Sequence, residues 1–75
     1  MKELIQYIAE GLVDEPGRVQ VKEIRTSQGV LLELRVARQD MGRVIGKEGR
    51  VANAMRAVLR VPAMRMGKQA NLEIV

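Results

Sequence analysis

Apolar residues recur at Leu4, Ile5, Ile8 and Leu12, a spacing that places them on one face of a helix. The stretch Asp14-Glu15-Pro16-Gly17 stops that helix, since proline lacks the donor that a further turn requires. The period then drops to two. Val19 and Val21 alternate with polar partners, and Thr26-Ser27-Gln28-Gly29 offers a turn. Val30, Leu32, Leu34 and Val36 alternate with Leu31, Glu33 and Arg35, which predicts a β-hairpin with one buried face. Asp40 is placed to cap a short helix through Ile45. Val51, Ala54, Met55, Val58 and Leu59 trace the stripe of a longer helix, which Pro62 should kink or end. Ala70, Leu72 and Ile74 alternate with Asn71, Glu73 and Val75 as a last strand.

The expected order is α-β-β-α-α-β, an α+β fold occupying residues 1–75 as one domain. Two helices join the second strand to the third, so those strands should run parallel through a right-handed crossover. The hairpin partner is antiparallel, which makes the three-stranded sheet mixed. All three helices should cover one face of it, because so small a sheet can bury only one side. The expected core is Leu4, Ile5, Ile8, Leu12, Val19, Val21, Val30, Leu32, Leu34, Val36, Val51, Met55, Val58, Leu59, Leu72 and Ile74. Val61, Pro62, Ala63, Met64 and Met66 remain as an apolar cluster beyond the regular helix.

Composition narrows the chemistry. The 75 residues contain no cysteine and no histidine, which removes disulfides, thiolate nucleophiles, imidazole bases and the common zinc sites. No apolar stretch approaches the roughly 20 residues of a membrane-spanning helix, and the start Met-Lys-Glu-Leu lacks the apolar run of a secretory signal. The expected location is the cytoplasm. The formal net charge is +4, but residues 38 to 68 carry eight basic side chains against Asp40 and Glu48 alone. Residues 1 to 37 carry five basic and six acidic side chains. Such concentration points to a polyanionic partner for the 38–68 segment, or else to a solvated basic face.

That segment contains Val44-Ile45-Gly46-Lys47-Glu48-Gly49-Arg50. Glycines at both ends allow backbone angles and close approach that a Cβ would forbid. The next helix begins at once, so its positive end and unpaired N–H groups mark a site for phosphate, with Lys47 and Arg50 adding charge. The plain alternative is a glycine-permitted turn with a solvated Lys-Glu pair. A nucleotide-binding P-loop is excluded. Only three residues separate Gly42 from Gly46, Glu48 occupies the place of the required Ser or Thr, and no strand feeds the turn.

These residues resemble the GxxG signature of the KH domain, and the element order is that of its bacterial, type II arrangement. Leu12-Val13-Asp14, Val36-Ala37, Asp40 to Lys47, Gly49-Arg50-Val51-Ala52, Ala54-Met55-Arg56 and Leu72-Glu73-Ile74-Val75 are similar to the small bacterial single-KH proteins of the KhpA type, over essentially the whole chain. The resemblance implies a non-catalytic module whose loop holds the backbone of about four single-stranded RNA nucleotides, with bases in an aliphatic groove. It implies Gly46, Lys47, Glu48 and Gly49 as that loop, Val44 and Ile45 as its apolar entry, Arg43 and Arg50 as flanking charges, and Asn53 on the groove face. Ala52 stands where many KH domains have isoleucine, so the groove should be either shallower or shaped by Val51 instead. The one aromatic residue, Tyr7, leaves no stacking platform of the kind that RRM, cold-shock and OB domains use.

An RNA chaperone or post-transcriptional regulator is the leading reading. The alternative is a protein-interaction KH domain acting mainly in assembly. No cofactor is implied, and no convergent constellation suggests an enzyme. The resemblance also implies a homodimer, and pairing with a larger KhpB (Jag)-type KH protein, through Val61, Pro62, Met64 and Met66.

Overall fold

The computed structural model describes residues 1–75. Helix α1 spans Lys2–Leu12, strands β1 and β2 span Gln20–Arg25 and Gly29–Arg35, helices α2 and α3 span Met41–Ile45 and Arg50–Arg65, and strand β3 spans Gln69–Ile74. Single 3₁₀ turns at Pro16–Arg18, Arg38–Asp40 and Lys47–Gly49 fill the joints. The sheet order is β1-β2-β3, antiparallel then parallel, the mixed sheet expected from the two-helix connection.

Register places Val21 opposite Leu34 and Leu32 opposite Leu72. These four side chains, with Val30, are buried beneath the helices, whereas Gln20, Lys22, Asn71 and Glu73 on the other face are exposed. Alternation alone thus decided which face the helices cover. Ile5 and Ala9 of α1 and Ala52, Met55, Leu59 and Ala63 of α3 close the core from above.

Several expected core positions differ. Leu4 and Val58 are exposed, and Ile8, Leu12, Val51 and Ile74 are only half-buried, while Ala9, Ala37, Val44, Ala52 and Ala63 are buried instead. Helix α3 is apolar around more than one face, so its sequence permits two stripes. The stripe at Ala52, Met55, Leu59 and Ala63 faces the sheet because its two alanines let the helix axis approach β3 closely. Ala63 therefore leaves the apolar cluster and Val58 joins it.

Helix α3 also passes through Pro62 rather than ending there. Proline removes one helical donor, but Leu59 and Ala63 are buried on either side of it and hold both flanks on the sheet. The helix stops at Gly67, whose φ is +66°. There the Lys68 N–H donates back to the Ala63 carbonyl at 2.9 Å, the closure of a glycine-terminated helix.

Asp40 is fully buried, and no side-chain cap bond forms at α2. Its carboxylate accepts the backbone N–H groups of Asp14 and Glu15, each at 3.1 Å. The expected cap is thus a staple between the α1–β1 connection and α2. Removing it orphans two donors, so Asp40→Ala should lower stability by about 2–4 kcal/mol in denaturant unfolding. A loss below 1 kcal/mol would show that the two N–H groups find other partners.

Candidate nucleic-acid interface

The loop between α2 and α3 has two glycines with different tasks. Gly46 has φ +77° and ψ 172°, a region essentially closed to other residues. A Cβ there would lie 2.5 Å from Val51 Cγ2 and 2.8 Å from the Val51 backbone nitrogen. Gly49 is left-handed, but a Cβ on it would meet only Asn53 Nδ2 at 3.8 Å. Both angle and close approach therefore require Gly46, and angle alone favours Gly49. Gly46→Ala should cost about 3 kcal/mol and Gly49→Ala about 1 kcal/mol. Equal losses in thermal unfolding would contradict this division.

Between them, Glu48 also sits at positive φ, +58°. The loop is thereby drawn into one tight turn whose end is the positive terminus of the 16-residue helix α3. Val44 is fully buried and anchors the entry, while Ile45 is 38% exposed beside the glycines. Lys47 takes part in no ion pair, so its ammonium is available to an anion. Arg50 lies 3.8 Å from Glu48, with both side chains largely exposed. Such a pair is worth at most about 1 kcal/mol and is readily exchanged.

Arg43 is engaged differently. Its guanidinium is 3.1 Å from Asp14 and 3.7 Å from buried Asp40, which makes it part of the staple below the loop. Its charge is balanced in place, unlike that of Lys47.

On α3 the loop continues into a track the sequence only half revealed. Asn53 lies next to Gly49, and its Oδ1 accepts a hydrogen bond from Arg56 Nη1 at 3.0 Å. Arg56 Nε and Nη2 both donate to the Leu72 carbonyl, at 3.3 and 3.2 Å. Leu72 belongs to β3, an edge strand with one unpaired side. Arg56, Arg60, Gln28, Leu31 and Asn71 line a cleft along that edge. Arg56 and Arg60 were visible only as members of the basic segment. Their place follows from the i, i+3, i+7 spacing with Asn53, a signal that needs the sheet edge to give it meaning.

The arrangement offers a cationic, glycine-shaped turn for a phosphate, an exposed aliphatic side chain beside it, and a donor-lined strand edge leading away. No group of three His, Cys, Asp or Glu side chains that could hold a metal is present, and no helix is long and apolar enough to cross a membrane.

A family model described as the KH domain of KhpA and KhpB matches residues 2–74. The chain is 48% identical to the RNA-binding protein KhpA of Clostridium acetobutylicum and 45% identical to that of Clostridium perfringens, each over the whole length of both chains. It is 40% identical to the RNA-binding protein KhpA of Aquifex aeolicus, over all of this chain and 95% of that one. No solved structure matches it.

Proposed function

Because the chain belongs to the KhpA/KhpB family of KH domains, we propose that it is a non-catalytic, single-stranded RNA-binding protein that grips the strand with the Gly46–Gly49 loop. The observation that carries this reading is the unpaired Lys47 on a tight turn at the positive end of α3, continuous through Asn53 and Arg56 with the free edge of β3. Phosphates would lie against Lys47, Arg50 and the first N–H groups of α3, and bases against Ile45 and the β3 edge. A footprint of about four nucleotides suits an RNA chaperone or regulator in the cytoplasm better than a reader of long sequences.

Salt dependence tests the electrostatic part. Neutralising two to four phosphates at the loop and groove should give a slope of log K against log salt of roughly −1.5 to −3 with a single-stranded RNA just long enough to fill them. A slope near zero, or tighter binding to a perfect duplex, would place binding on another surface. Arg56→Ala should weaken binding by about 10-fold while the circular dichroism stays native, since the Leu72 carbonyl it leaves lies on the unpaired edge of β3, where water can take its place, and Asn53 is exposed.

A second reading concerns assembly. Val58 is 43%, Val61 58% and Met64 78% exposed on the outer face of α3, with Met66 at 55% just beyond it. An apolar row of this kind marks an interface. It would pair two copies of this chain, or this chain with a KhpB-type KH protein.

A further inference from the structure

A second basic site lies at the opposite end of α2 from the Gly46–Gly49 loop. Arg18 from the Pro16–Arg18 turn, Arg35 from the end of β2 and Arg38 from the Arg38–Asp40 turn come together with Gln20 and Met41 around one cleft of about 540 Å³. No aspartate or glutamate lines it. None of the three arginines is in an ion pair or a side-chain hydrogen bond, in contrast to Arg25, Arg43 and Arg56. Val75 also lines the cleft, so the terminal carboxylate stands against three guanidinium groups without pairing with any of them. The excess like charge in a concave surface repels and lowers stability, and a bound anion relieves that repulsion. Guanidinium groups are the side chains best suited to phosphate oxygens.

We propose that this cleft is a second phosphate-binding site, which takes the backbone of the same RNA strand beyond the nucleotides held at the loop. Met41 lines the cleft and Gly46 opens the loop, so the rise along α2 separates them by about 8 Å. A strand of several nucleotides can reach both. The site was hidden in the sequence because Arg18 and Arg35 belong to the half of the chain whose charges nearly cancel. This inference rests on the RNA-binding reading, and it extends the footprint past the four nucleotides that the loop and groove account for.

The test compares a tetranucleotide with a mixed-sequence single-stranded dodecamer, using Arg18→Gln/Arg35→Gln/Arg38→Gln and a control of equal charge loss, Lys2→Gln/Lys22→Gln/Arg25→Gln. The cleft variant should bind the dodecamer at least about 10-fold more weakly than the control does, with a salt slope smaller by about 2. Its affinity for the tetranucleotide should stay within about twofold of the control. Circular dichroism and Arg38→Gln alone, which should show a partial loss, guard against a folding defect. A cleft variant that matches the control on the dodecamer overturns the second site and leaves the loop standing. Wild-type protein that binds neither RNA overturns the RNA-binding reading, and this site with it.

Discussion

Replacing Lys47 and Glu48 together with aspartate is expected to weaken single-stranded RNA binding by at least about 100-fold, or about 2.7 kcal/mol, while the protein stays folded. The argument is local. Lys47 is the loop's unpaired cation, and its replacement turns an attraction for phosphate into a repulsion at the turn where the helix end and N–H groups would otherwise receive it. Glu48 occupies a left-handed conformation, which aspartate tolerates better than glutamate. Neither side chain contributes to the buried core. Fluorescence anisotropy with a labelled single strand reads the binding, and circular dichroism with thermal unfolding reads the fold. A folded double variant that binds like wild type would remove the loop from the interface.

The order of elements and the sheet face beneath the helices were legible in the sequence, because both depend on periodicity that single residues cannot disguise. Val21, Leu34 and Leu72 could point only one way once their neighbours were charged or polar. Less legible was anything that depends on competition between partners. Asp40 precedes a helix and has the chemistry of a cap, yet the N–H groups of Asp14 and Glu15, far away in sequence, take both of its oxygens. Arg43 follows from the same event, since Asp14 and Asp40 of the staple pair with its charge at the surface. In α3 the hydrophobic pattern was ambiguous between two stripes, and only the close approach of β3 selects the one containing Ala52 and Ala63. The loop glycines were recognisable as a motif. That Gly46 is held by Val51 as well as by its angles is a fact of packing.

The second stripe of α3 leads to the other large effect. Val58, Val61 and Met64 recur at intervals of three on the face turned away from the sheet, and nothing within the chain covers them. A two-fold pairing of this helix with its copy would bury the same row on both copies and close the assembly. Pro62 does not interrupt the surface, because the helix runs through it and Pro62 itself is half-buried. Wild-type protein should therefore sediment as a dimer at tens of micromolar. Val61→Glu should sediment as a monomer at every concentration measured, a weakening of at least about 100-fold, because the two-fold axis brings a pair of carboxylates into an apolar seam, a cost that an exposed i,i+4 contact with Arg65 offsets by only about 0.5 kcal/mol. Met64→Glu, nearer the end of the helix, should weaken the dimer less. The Gly46–Gly49 loop lies at the other end of α3, so the Val61 variant should keep its affinity for a tetranucleotide within about threefold. A wild-type monomer at that concentration rejects the pairing of two copies, and a Val61→Glu protein that remains dimeric moves the interface off this face of α3.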